Sequence, residues 1–256
     1  MIDDTCGIPT DLVFYHTIEI SPGVVTPGWP AVQPIADLVR QSMKSLPIQG
    51  RRVLDIGCRD GAMAFEAERL GASEVIAIDF DLPRQTTSFL KEALSSNVRF
   101  EEMNLFDLRP ETFGSFDLII LPGVVYHLRY PMTALRLMRD LVREGGHLLV
   151  ETATFSDANA LPLMFCPTGD DSPYEPTSCT FFNKMGFTKS VESFGFTVAS
   201  DQSLLNLPPY AGEMAKDVPI NRTVFTCIRE TQLQKASALK YWDSDRDPHA
   251  ELKKFY

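Results

Sequence analysis

Apolar positions along the middle of the chain switch repeatedly between two periods. Short, almost wholly apolar runs predict buried strands at RRVLDIGC (51–58), SEVIAIDFD (73–81), VRFEEMN (98–104), SFDLIILPG (115–123) and HLLVETA (147–153). Helical spacing fills the intervals. GAMAFEAERLG (61–71) stops at Gly71, PRQTTSFLKEALSS (83–96) opens on Pro83, and PMTALRLMRDLVREGG (131–146) runs to a glycine stop. Strands alternating with helices at this spacing predict parallel βαβ units, and right-handed crossovers wind such units into an open sheet covered on both faces.

The flanks are less regular. FYHTIEI (14–20) alternates weakly, SPGVVTPGWP (21–30) is turn and loop, and AVQPIADLVRQSMKSL (31–46) carries Ile35, Leu38, Val39, Met43 and Leu46 at helical spacing. Residues 153–190 are too long and too aromatic for a plain connection and predict an ordered lid or pocket wall, with a helix over FNKMGFTKSVESFGF (182–196). Two further strands are expected at FGFTVASDQSL (194–204) and NRTVFTCIRE (221–230), separated by a long connection and followed by a partly helical, partly polar tail. The fold class expected is α/β: a doubly wound, seven-stranded, mostly parallel sheet with an N-terminal flap and lid insertions. It forms one domain, with flap and helix in 1–50, a ligand-binding core in 51–152, the lid in 153–190 and C-terminal strands and tail in 191–256.

Composition narrows the function. A hydrophobic share of 44% over 256 residues suits a globular core, and the net charge of −10 argues against a nucleic-acid partner, whose affinity rests on basic surface. Five scattered cysteines (Cys6, Cys58, Cys166, Cys179, Cys227) offer neither a CxxC pair nor metal-site spacing, so no metal is expected. No apolar run is long enough to span a bilayer, and the acidic start MIDDTCGIPTDLVFYH lacks the pattern of a secretory signal, which together point to the cytoplasm.

In open α/β sheets the ligand sits outside the carboxyl ends of the strands. That rule selects Asp55–Gly61, Asp79–Asp81, Asn104–Asp107, Pro122–His127 and Glu151–Thr152. VLDIGCRDG (53–61) is a strand, a glycine turn and a helix start, an arrangement that brings backbone N–H groups to a ligand. Its glycines, Gly57 and Gly61, are spaced GxxxG rather than GxGxxG. Asp79 ends the next strand at the offset typical of an acid that bonds ribose hydroxyls, which favours a nucleoside ligand.

VLDIGCRDG, VIAIDFD and FDLIILPGVVYHL together resemble the class I S-adenosylmethionine (SAM)-dependent methyltransferases, whose core is Rossmann-like. Within them, FYHTIEI…TPGW and GVVYHLRYPMTALRLMRDLVREGGHLLVET are similar to the branch of the bacterial tRNA wobble-uridine carboxymethyltransferase, over about residues 12–155. The resemblance implies SAM as cofactor. It implies that Gly57 and Gly61, with Asp55 and Cys58 beside them, frame the methionine portion, that Asp79 accepts from the ribose and Phe80 lies against adenine. It also implies that Asn104, Leu105 and Phe106 meet the adenine edge, and that Pro122 and Gly123 wall the sulfonium side. Tyr126 and His127 would look into the transfer site, and the segment bearing Tyr15 and His16 would fold over the cofactor.

Two departures matter. Arg59 stands where the family usually has a second glycine, so its side chain must point away from SAM or reach its carboxylate. The chain is also acidic and shorter at its front than the tRNA enzyme, so ordinary SAM and a small-molecule acceptor, heteroaromatic or a natural-product intermediate, are expected, with N- or O-methylation. His127 is the first candidate base, since imidazole titrates near neutrality; its alternative is a structural cap. Tyr126 could bond the acceptor or pack. Glu151 could act as base or be held by backbone, and Tyr15 and His16 complete the catalytic set. Trp29, Phe165, Phe181, Phe182 and Tyr210 are candidate pocket walls, and Asp170 and Asp171 are read as a solvated loop. The partner expected is the small-molecule acceptor, a homodimer being allowed for. The alternatives kept are a tRNA-modifying enzyme and a non-catalytic SAM-binding module; a nicotinamide dehydrogenase is disfavoured by the missing GxGxxG.

Overall fold

The computed structural model describes residues 7–156, 161–204 and 220–230. Cys6, Tyr210, His249, the connection after the tenth strand and the tail lie outside them. The elements run β1 (Glu19–Ser21), β2 (Val24–Val25), α1 (Gln33–Lys44), β3 (Arg52–Ile56), α2 (Ala62–Arg69), β4 (Glu74–Asp79), α3 (Arg84–Ala93), β5 (Arg99–Glu102), α4 (Pro110–Phe113), β6 (Phe116–Pro122), α5 (Pro131–Leu141), β7 (Val142–Phe155), β8 (Met164–Phe165), β9 (Phe181–Phe182), α6 (Lys184–Ser193), β10 (Phe196–Leu204) and β11 (Ile220–Arg229).

Seven strands form one continuous sheet in the order β10-β11-β7-β6-β3-β4-β5, with β9 joined to β7 at one side and β8 to β9. The five core strands are parallel, and β11 and β10 are added antiparallel. The expected seven-stranded, mostly parallel sheet is therefore present. The chain enters at β3, works outward through β4 and β5, then returns to β6 on the other side of β3. This reversal opens a crevice at the carboxyl ends of β3 and β6.

Strand alternation divides the core between two faces. In β3, Leu54 and Ile56 join Ile76, Ile78, Ile119, Leu121 and the α5 and α6 side chains on one face. Val53 joins Val75, Ala77, Leu118, Ile120 and residues of α1, α2 and α3 on the other. The apolar stripe of α1, with Ile35, Val39 and Met43 buried, is the face that the helical spacing predicts.

One element differs from its sequence pattern. The helix expected over 131–146 ends at Leu141, and β7 begins at once with Val142. The strand bulges between its pairings Phe116↔Val142 and Leu118↔His147, Gly145 takes φ 69°, and Gly146 packs so closely on Asp117 and Arg143 backbone that a Cβ would lie 2.8–3.0 Å from their carbonyl oxygens. A helix cannot make that approach. The weakly alternating 14–20 segment contributes its last two residues to the short β1–β2 hairpin turned at Gly23, and residues 14–18 run as a flap tied to Asp60 and Arg40.

Candidate functional site

The turn after β3 is built by two left-handed glycines. Gly57 has φ 75° and Gly61 φ 88°, and Gly61 starts α2. A Cβ on Gly57 would sit 2.4 Å from Cγ2 of Val124, which follows β6. The two strand ends thus touch through a glycine, at the topological crevice. Arg59 is also left-handed, φ 49°, a conformation that costs a side-chain-bearing residue energy and must be held by a partner. Its N–H donates to Asp79 Oδ2 at 2.8 Å.

Four amides of the turn are taken within the protein. Gly57 N–H and Cys58 N–H donate to the Ile78 carbonyl at 2.8 and 3.1 Å, Arg59 N–H to Asp79, and Gly61 N–H to the Cys58 carbonyl. This corrects the expectation of N–H groups turned toward the ligand. The turn gathers carboxylates instead. Asp55, Asp60 and Asp79 are all buried around it. Neither Asp55 oxygen makes a hydrogen bond of ordinary geometry among the described residues; burial, opposed by the more distant approach of the Ala64 amide and reinforced by Asp79 and Asp60, pushes its carboxyl up to about 8. Asp79 Oδ1 accepts from Asp81 N–H at 3.0 Å. Beside it Phe80 is 74% exposed, an aromatic face open to solvent where a core residue would be covered.

The flap closes one side. Asp60 Oδ2 accepts the N–H groups of Tyr15 and His16, each at 2.8 Å, and its Oδ1 meets His16 Nδ1. Thr86 Oγ1 donates to the Val13 carbonyl, and Arg40 donates to that of Thr17. The Tyr15 ring lies 5.3 Å from Trp29 and 5.5 Å from the Arg59 guanidinium, whose other neighbour is Asp81 at 3.9 Å.

The far side is formed by the ends of β6 and β7. Gly123 N–H donates to the Glu151 carbonyl. Glu151 is held by a side chain rather than by backbone: Arg222 on β11 grips both its oxygens at 2.6 Å and donates to Tyr174 Oη at 2.8 Å. The guanidinium lies 4.8 Å from the Tyr126 ring centroid. Burial opposes the charge on Arg222, but Glu151 more than offsets it and the group stays protonated; burial also keeps the Tyr126 phenol well above its ordinary range. His127 faces the lid, with Nδ1 3.4 Å from the Thr177 carbonyl and Nε2 3.8 Å from Glu175. Burial lowers its pKa, partly countered by Glu175.

Several predicted positions serve the core or the turn. Cys58 is buried, its thiol raised far above the ordinary range by burial, and Leu105 and Phe182 are core residues. Asn104 spends its side chain capping the next turn at Phe106 N–H. Phe181 packs with Tyr126, Tyr174 and Ala153, whereas Trp29 and Phe165 are open to solvent, as are Asp170 and Asp171. Sequence reasoning placed Asp60 within the selected Asp55–Gly61 stretch without giving it a role, and it missed Arg222, Tyr174 and Glu175. A charged residue inside a tight glycine turn was a usable signal for Asp60; nothing in the strand pattern marked Arg222.

A methyltransferase-domain model matches residues 33–201. The chain belongs to the methyltransferase-domain family. Among named relatives, the tRNA U34 carboxymethyltransferase of Saccharophagus degradans is 32% identical over 152 residues, covering 55% of this chain and 46% of its own length. The chain thus spans under half of that relative. Solved structures share the fold at lower identity. The N-terminal domain of EvdMO1 with S-adenosylhomocysteine (SAH) bound has a TM-score of 0.61 at 16% identity, over 85% of this chain and 92% of that one. The 1,6-didemethyltoxoflavin-N1-methyltransferase of Burkholderia thailandensis has 0.53 at 17%, over 78% and 79%. The [4+2]-cyclase SpnF has 0.60 at 17%, over 78% and 82%.

SAM is the cofactor of this methyltransferase class, and the residues present fit it. SAM carries an ammonium and a sulfonium, and the unpartnered Asp55 carboxylate in a cluster of three acids suits cations. Phe80 offers a face for a planar base. No helix among the described residues is long and apolar enough to cross a membrane.

Proposed function

We propose that this methyltransferase transfers the methyl group of SAM to an oxygen or nitrogen of a small-molecule acceptor. One observation carries the reading of the turn: the amides of Gly57, Cys58, Arg59 and Gly61 are taken inside the protein while three buried carboxylates surround them. A pyrophosphate needs N–H donors and repels carboxylates, so a nicotinamide dinucleotide is disfavoured; SAM brings an ammonium and a sulfonium for the acids, and its single carboxylate needs one donor, for which Arg59 stands at the turn. Bound SAM supplies a methyl carbon open to in-line displacement.

The residues divide the task. Asp55 and the Gly57 turn take the methionine portion, Asp79 the ribose hydroxyls, Phe80 and the 104–106 loop the adenine, and Pro122 and Gly123 border the sulfur. Tyr126, kept a neutral donor and fixed by Arg222, faces the acceptor. Positioning of the acceptor at attack distance supplies much of the rate. The borders carry Asp81 beside Arg59 and Glu175 beside His127, which disfavours a polyanion and supports a small acceptor in a cytoplasmic chain of net charge −10. The tRNA reading is supported by relatives named tRNA U34 carboxymethyltransferase at 30–34% identity, each matched over less than half of its own length. It requires tRNA binding that weakens steeply with salt.

Calorimetry with SAH tests the site. Wild-type protein is expected to bind SAH and not NADH. Asp79→Ala is expected to weaken SAH by about 10- to 100-fold, the worth of a charge-assisted hydrogen bond of about 1.5–3 kcal/mol. Unchanged affinity in that variant sinks the ribose assignment, and salt-sensitive tRNA binding would replace the small acceptor with RNA.

A further inference from the structure

Methyl transfer to a hydroxyl or a ring N–H needs a group that takes the proton, and two histidines stand near the turn. They are held differently. Both nitrogens of His127 face the lid, one toward the Thr177 carbonyl and one toward Glu175. His16 has Nδ1 on the Asp60 carboxylate, and its Nε2 makes no hydrogen bond among the described residues. Asp60 is only 1% exposed and also clamps the backbone of Tyr15 and His16, so imidazole and main chain are fixed by one carboxylate. A carboxylate accepting from Nδ1–H leaves the lone pair on Nε2, which is the arrangement a general base requires. The Tyr15 and Trp29 rings, 5.3 Å apart with Trp29 half-exposed, add an aromatic surface beside it.

We propose that His16 is the base of the reaction and Asp60 the positioning residue that orients it, which makes the acceptor a planar molecule whose attacking atom carries an acidic proton: an aromatic hydroxyl or a heterocyclic N–H. This rests on the methyltransferase reading. The acceptor gives its proton to Nε2 and forms a bond to the methyl carbon. The carbon–sulfur bond breaks with its electron pair left on sulfur, and the proton passes from Nε2 to water. His127 is then a contact between the β6 end and the lid rather than the base. The same carboxylate links base and cofactor turn, since Asp60 lies between Gly57 and Gly61.

Two variants separate orientation from flap closure. Asp60→Asn keeps an oxygen for the Tyr15 and His16 amides but removes the carboxylate from the imidazole; His16→Gln removes the base. SAH binding by calorimetry comes first, and its absence in wild type would overturn the methyltransferase reading itself. With binding present in wild type, 15N spectra of the His16 ring in the cofactor-free protein are expected to show the hydrogen on Nδ1 in wild type and a shifted tautomer balance in Asp60→Asn, and turnover is compared at saturating SAM so that any loss of cofactor affinity is separated from loss of the base. Methyl transfer from SAM is assayed on a panel of hydroxyquinolines, flavonoids and purines, with primary aliphatic amines as the contrasting set. For the probe that turns over, kcat is expected to fall by about 10²–10⁴-fold in His16→Gln, and by a large part of that in Asp60→Asn, with KM nearly held. Transfer only to amines, transfer to no probe, an Nδ1 without hydrogen in wild type, or variants that keep wild-type kcat would each overturn the proposal.

Discussion

At the scale of single residues, the glycine turn depends on what its backbone excludes. Gly57 combines φ 75° with a would-be Cβ 2.4 Å from a branched Val124 side chain that has little freedom to turn away. Gly57→Ala therefore meets two costs, the left-handed conformation at about 1–2 kcal/mol and the clash. Urea denaturation is expected to show a loss of that size or more, with SAH affinity falling alongside. Adding Val124→Ala should recover the steric share and leave the conformational one. A double variant as unstable as the single would mean that Val124 is not what the glycine admits. The position of Gly57 and Gly61 was legible in the sequence, because positive φ is written as glycine. The direction of the amides was not: a spacing says where the chain bends, and only the register against Ile78 and Asp79 decides which way the N–H groups turn.

At the scale of elements, β7 and β11 are joined by more than their ladder. Arg222 and Glu151 form a buried pair whose charges satisfy each other, and Tyr174 takes a further guanidinium donor. Removing one partner leaves an uncompensated buried charge, which costs about 3–5 kcal/mol, whereas replacing both with apolar residues of similar size can be nearly neutral. Glu151→Ala should lower the denaturation midpoint strongly and loosen Tyr126, while Glu151→Leu with Arg222→Met should restore much of the stability without restoring any activity that needs a fixed Tyr126. Equal stability of wild type and Glu151→Ala would show that the pair holds nothing. The strands themselves were readable from their apolar runs, and β11 was expected within one residue of its start and end. Its arginine was invisible as a site residue, because it meets Glu151 only after an antiparallel return 71 positions later in the chain. The helix overrun into 142–146 has the same origin: periodicity cannot register that Gly146 must pack against Asp117 on a neighbouring strand.

At the scale of the whole molecule, the parallel sheet and the crevice between β3 and β6 followed from alternating periods, but the acid cluster that the crevice concentrates did not, because burial of Asp55, Asp60 and Asp79 together is a property of the assembled fold. That cluster couples stability to pH. Asp55 ionises near 3.8 when unfolded and near 8 when folded, chiefly because burial penalises its charge. Between those values the folded state binds more protons than the unfolded one, so stability falls as pH rises. The contribution is fully present below about pH 4 and is lost progressively as pH climbs to about 8. Asp55→Asn should flatten this slope in urea titrations run between about pH 5 and pH 8. A cation bound beside Asp55 reverses the preference and draws the proton off, so SAM should bind more tightly as pH rises through this window and release a proton on binding within it. Calorimetry in two buffers of different ionisation enthalpy reads that proton directly, and Asp55→Asn should abolish its release. A wild-type protein that binds SAM with the same heat in both buffers, or a slope that survives the substitution, would place the positive groups of the ligand away from Asp55.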